Sequence, residues 1–195
     1  WSSDVCSSDL TLMLKARTPK HFARFISVLC EGLREIVFRH HGYYDKFTGD
    51  GILAFFPKFL AGEDAGLHVV AAADECHRLF ETHYRNNRDC FSAILKDVGL
   101  GIGVDFGEPE FALVGEALTV VGTPVVYACR MSGTGSGTTL LNQPAFEQIS
   151  RYGETCTTAE VELDVKHEGR FVCHQVSLNG HLPELRPPGW QLYAG

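Results

Sequence analysis

No two cysteines of this 195-residue chain stand in Cys-x-x-Cys spacing, although there are seven. Cys30, Cys76, Cys90, Cys129, Cys156 and Cys173 are scattered, which fits reduced, buried thiols better than disulfides or a zinc site. The nine histidines lack metal-ligand spacing as well, and His40 and His41 fall where a helix is expected to end, a favourable place for a positive tendency. There is no basic run. With 17 Lys and Arg against 24 Asp and Glu the net charge is −7, which speaks against nucleic acid as a partner. No apolar stretch approaches the roughly 20 residues of a membrane-spanning helix, and no repeat or low-complexity tract is visible. What is present is a globular composition, 45% hydrophobic and 21% charged, in a chain long enough to bury one core. A soluble cytoplasmic domain is expected.

Trp1–Leu10 has no periodicity and no relation to the rest of the chain. Asp4–Leu10 is similar to the conceptual translation of the end of a common sequencing adapter, so residues 1–10 are expected to be a non-native scar. The stretch is not a signal peptide, having neither a basic start nor an apolar core. Without Asp4 and Asp9 the net charge is −5.

The remainder alternates between two periodicities. Thr18-Pro19 predicts a helix start, and Phe22, Phe25, Ile26, Leu29, Leu33, Ile36 and Val37 recur at helical spacing up to Gly42. A hairpin over Tyr43–Phe56 comes next, then a helix over Glu63–Tyr84 with Leu67, Val70, Ala73, Cys76, Leu79 and Phe80 inward. Val98–Phe106 reads as a strand, another strand precedes a helix over Pro124–Met131, and Thr138–Asn142 and Pro144–Ile149 read as strand then helix. Two strands, near Ala159–Val165 and Arg170–Val176, close the chain. The pattern predicts an α+β fold, helices packed on a mostly antiparallel sheet.

Two segments carry chemistry. In Tyr44–Phe56, the turn Thr48-Gly49-Asp50-Gly51 joins a strand bearing Lys46 to Ile52–Phe56, which is too apolar to alternate and reads as buried on both faces. A carboxylate at the tip of a buried hairpin is rigid and exposed, as a metal ligand must be. Taken alone, Asp50 is also an ordinary turn residue. In Leu118–Met131, Gly122 ends an apolar strand, with Thr123 expected as N-cap and Pro124 at the first helical position. Arg130 is the one charged residue of that helix, and burying it needs an anionic partner unless it snorkels or caps the C-terminus.

Together these segments resemble the catalytic domain of class III adenylate/guanylate cyclases. The family's Lys-x-x-Gly-Asp is matched by Lys46-Phe47-Thr48-Gly49-Asp50, and its Gly-x-x-Val-Asn-x-Ala-x-Arg by Gly122 through Arg130. Gly101–Glu108 is similar to the family's central strand and turn; its glycine spacing does not fit a dinucleotide fingerprint. The resemblance runs from about Leu12 to Tyr193 and implies a ferredoxin-like core. It also implies a first strand with Asp-x-x-Gly-Phe-Thr, whose aspartate is a second metal ligand. No such motif is present, so residues 11–195 are expected to be a cyclase domain lacking its first strand, from a truncated gene product.

By the resemblance, the reaction is cyclisation of ATP to cyclic AMP and pyrophosphate. It uses two divalent cations, magnesium or manganese, at sites across a head-to-tail homodimer. Asp50 is the expected metal ligand. Lys46 and Thr119 are the expected base-reading pair, lysine with threonine being the adenine type where guanine enzymes usually carry glutamate at the lysine position. Arg130 is the expected transition-state residue, and its partner asparagine, one helical turn away, is here Val126. That departure leaves a second reading open: a catalytically degenerate cyclase-homology domain that binds nucleotide or dimerises to regulate a partner. The resemblance leaves room for an upstream sensor or membrane domain.

Overall fold

The computed structural model describes residues 2–5, 15–93, 98–165, 169–180, 185–186 and 188–190. Its centre is the run expected to be apolar on both faces. β3 (Ile52–Phe55) is buried at every position and lies inside a seven-stranded sheet. The other strands are β1 (Ser2–Val5), β2 (Tyr43–Phe47), β4 (Gly101–Asp105), β7 (Thr138–Leu141), β8 (Cys156–Val165) and β9 (Gly169–Leu178), in the order β2-β3-β1-β4-β7-β9-β8. All neighbours are antiparallel except β4 and β7, which run parallel. A separate hairpin, β5 (Glu110–Val114) with β6 (Ala117–Val121), leaves the sheet between β4 and the next helix. β5 escapes sequence reading because it lacks two-residue alternation. The α+β class is as the pattern predicts.

At the N-terminus, Ser2–Val5, within the stretch expected to be a scar, occupies the slot between β3 and β4, with Asp4 opposite Leu53 and Gly103. Backbone chemistry explains this. An open slot would strand the N–H and C=O groups of two buried strands, and any four extended residues can pair with them.

The long helices behave as their periodicity demands. α1 (Pro19–Arg39) is capped by Thr18, whose hydroxyl accepts from the His21 N–H, and it buries Phe25, Ile26, Leu29, Leu33, Ile36 and Val37. The left-handed residue at its end is His41 (φ 59°) rather than Gly42; Gly42 instead lies so close to Val37 and Phe56 that a side chain would collide with both. The second long helix, expected over Glu63–Tyr84, is unbroken from Ala65 to Asn86 and is preceded by a separate short one. A short α2 (Lys58–Ala61) turns at Gly62, and α3 (Ala65–Asn86) starts behind Asp64. The Asp64 carboxylate does not cap α3, because Arg186 claims it through Nε (3.1 Å) and Nη2 (2.8 Å) and Tyr152 donates to it at 2.9 Å. This pairing holds Asp64 well below the usual carboxylate range. Trp190, donating to the Leu60 carbonyl at 2.9 Å, completes the C-terminal attachment to this corner.

α4 (Thr123–Ser132) packs on β4 with almost no space between backbones. A side chain at Gly101 or Gly103 would run into the carbonyl oxygens of Ser132 and Ala128 respectively. The glycines therefore serve helix-on-strand contact. Thr123 is not the N-cap. Gly122 takes that position at φ 131°, a conformation a side chain resists, and Thr123 is the first helical residue. α5 (Gln143–Ile149) is capped by Asn142, whose side-chain oxygen accepts from the Ala145 N–H at 3.0 Å.

Candidate active site

β2 and β6 bring together two residues that are 73 positions apart in the chain. The Lys46 ammonium donates to the Thr119 hydroxyl. A third group joins them: the Thr119 hydroxyl donates to Asp45 Oδ2 at 2.9 Å, and the Lys46 Nζ lies 3.3 Å from the same oxygen. Asp45 is not a residue that sequence reasoning singled out. Strict alternation in Tyr-Tyr-Asp-Lys-Phe would send Asp45 and Lys46 to opposite faces. A register shift between Tyr44 and Lys46, against Ala54 and Leu53, inserts Asp45 as an extra residue and turns it toward its neighbour. The Asp45 side chain is only 4% exposed, whereas that of Lys46 is 43% exposed and reaches into open space. The aspartate beside the lysine was the available signal; the bulge was not legible.

Asp50 is half-buried on the turn between β2 and β3, next to Gly49 at φ 106°. Its charge, together with burial as the larger cause, pushes the Cys30 thiol up to about 12. Burial likewise raises Cys156 and Cys173 to about 11, so these thiols stay protonated and unreactive. Cys30, Cys76, Cys90, Cys156 and Cys173 are in no disulfide.

On α4, Val126 is 45% exposed and offers only hydrocarbon to solvent where the cyclase pattern has an amide. Arg130, one turn on, is half-buried, its guanidinium 5.9 Å from the centre of the Tyr127 ring. Tyr127 stacks in turn on Phe171 of β9 at 5.4 Å, which steadies the helix face that carries Arg130.

Among the described residues no group of three or more His, Cys, Asp or Glu side chains is arranged to hold a metal ion. Asp50 is one carboxylate, and the described residues do not complete a site for two cations. A further buried carboxylate, Asp105 at the end of β4, accepts from the Asn142 amide. Burial lifts it to about 6 despite that hydrogen bond.

The chain matches no protein-family model, and no curated protein sequence matches it. Its fold is matched by solved structures. The adenylyl cyclase CyaB from P. aeruginosa superposes with a TM-score of 0.75 over 95% of this chain and 94% of that one, at 15% identity. The guanylyl cyclase Cya2 gives 0.71 over 95% and 94%, at 19% identity. The guanylate cyclase domain of RhGC from Catenaria anguillulae, in complex with GTP, gives 0.68 over 91% and 93%, at 19% identity. The chain has the fold of adenylyl and guanylyl cyclase catalytic domains.

Proposed function

We propose that the chain is a nucleotide cyclase domain of adenylate type, whose native form converts ATP to cyclic AMP and pyrophosphate. The observation that carries this reading is the Lys46–Thr119 contact across 73 residues. A lysine only donates, which suits the N1 lone pair of adenine and opposes the N1–H of guanine. Arg130 is assigned to the phosphate end, where a fixed cation opposes the charge that develops as pyrophosphate departs. Asp50 is assigned as a ligand for magnesium or manganese, with its companion carboxylate expected from a first strand of the Asp-x-x-Gly-Phe-Thr kind.

A head-to-tail homodimer belongs to the same proposal. It is supported by the β5–β6 hairpin, which carries Phe111 at 58%, Leu113 at 71% and Leu118 at 63% exposure. So much apolar surface on one two-stranded projection is what an association arm presents. Among the described residues no helix is long and apolar enough to cross a membrane.

Val126 favours a second reading. An exposed valine in place of a hydrogen-bond donor fits a domain that binds nucleotide, or dimerises, in order to regulate a partner. Titrating the chain and its Lys46→Glu variant with ATP and GTP tests the base assignment common to both. The ATP preference should fall at least about tenfold, as expected when a donor is replaced by an acceptor against the same edge. An unchanged ratio would remove Lys46 and Thr119 from the base site.

A further inference from the structure

The Lys46–Thr119 pair does not stand alone, and the group behind it decides what the pair can offer a ligand. Asp45 is a buried carboxylate that both other members touch. A carboxylate accepts and cannot donate, so the one hydroxyl proton of Thr119 is committed to Asp45. A threonine oxygen has two lone pairs. The Lys46 ammonium takes one of them, which leaves one acceptor and no donor on Thr119. Lys46 has three protons, of which one is on Thr119 and a second faces Asp45 Oδ2 at 3.3 Å, so one donor remains. The cluster thus presents a single donor beside a single acceptor. That is the complement of an acceptor ring nitrogen next to an exocyclic amino group, and it mismatches a ring N–H next to a carbonyl.

We infer that Asp45 is a specificity-determining positioning residue: by fixing the Thr119 hydroxyl as an acceptor, it selects 6-aminopurine over 6-oxopurine nucleotides. This rests on the base-site reading above and adds a residue to it. Asp45 does not touch the base, and its effect passes through the direction of one O–H bond. Without the carboxylate, the hydroxyl could turn its proton outward and serve a carbonyl as readily as an amino group.

The test is equilibrium titration of the full chain with ATP, GTP and purine riboside triphosphate, which lacks the 6-amino group, with and without magnesium. Asp45→Asn keeps the shape but supplies an amide that can donate to the Thr119 oxygen and release its proton. The ATP-to-GTP affinity ratio should fall about tenfold, and the preference for ATP over purine riboside triphosphate should shrink with it. In a Thr119→Val background the same Asp45 change should do nothing more. Thr119→Val alone gives a readout that does not depend on how Asp45→Asn folds. It should weaken ATP about tenfold and leave GTP unweakened, because a hydroxyl locked as acceptor never helped a carbonyl. Equal weakening of ATP and GTP by Thr119→Val would overturn the inference. So would an unchanged ratio in Asp45→Asn, or an equal fall with and without Thr119. If Lys46→Glu still lowers the ratio in those cases, the base site survives and only Asp45 loses its role. If Lys46→Glu also changes nothing, or the chain binds none of the three nucleotides, the base-site reading fails as well.

Discussion

The two ends of the candidate site differ in how completely this chain equips them. At the proposed base end, Asp45, Lys46 and Thr119 come from two different hairpins and bond one another, which leaves one donor and one acceptor for a ligand. At the phosphate end, Asp50 is the one assigned carboxylate, Arg130 keeps its place on α4, and Val126 presents hydrocarbon beside it. Under the proposed assignment, recognition and reaction make separable demands on the fold. A polar cluster between two hairpins needs few residues, whereas charge stabilisation needs ligands from several strands at once.

The sharpest way to break this contrast is to ask for product. We expect the 195-residue chain to form no cyclic AMP with either magnesium or manganese, because two-metal chemistry needs a second carboxylate beside Asp50. Replacing Ser2–Val5 and the residues after it with a strand carrying Asp-x-x-Gly-Phe-Thr should make nucleotide binding metal-dependent. Robust cyclic AMP from the unaltered chain, measured by chromatography, would erase the difference between the two ends.

A smaller effect concerns Val126 in that restored form. Val126→Asn should raise turnover by about a hundredfold, the typical worth of one preorganised donor, and Arg130→Ala should lower it by a similar factor. If Val126→Asn leaves the rate where it was, another donor acts there and the phosphate end is better equipped than its sequence suggests.

The smallest expected effect is on stability and concerns Asp105, at the end of β4. Burial raises this carboxyl from 3.8 to about 6, so the folded state holds the proton more tightly than the unfolded state does. Its contribution is fully present below about pH 4 and is lost as pH rises through about 6. Asp105→Asn cannot ionise and keeps an oxygen for the Asn142 amide. It should therefore match the unaltered chain near pH 4 and exceed it at pH 8 by on the order of 2 kcal/mol. Thermal unfolding across that range decides the matter. An equal gain at both ends would mean that the ionised carboxylate is not the cost.

Much of the architecture was legible because it follows from local patterning. The seven apolar positions of α1, its start at Thr18-Pro19 and the wholly apolar β3 all act within a few residues of themselves. The exceptions lack a local signal that can be trusted. β5 lacks alternation, Thr123 yields the cap to the glycine before it, and Ser2–Val5 enters the sheet through pairing with strands distant in sequence that is indifferent to side chains.

The same division holds for the site. By itself the sequence proposed the side chains for the chemistry, Lys46, Asp50, Thr119 and Arg130, and marked Val126 as the position without the expected donor, because residue type and spacing along one helix or hairpin are local properties. Only the tertiary structure decided that Lys46 meets Thr119 and that Asp45 stands behind both. The contact spans two hairpins, and the side-chain direction depends on a one-residue bulge that strand periodicity cannot foretell.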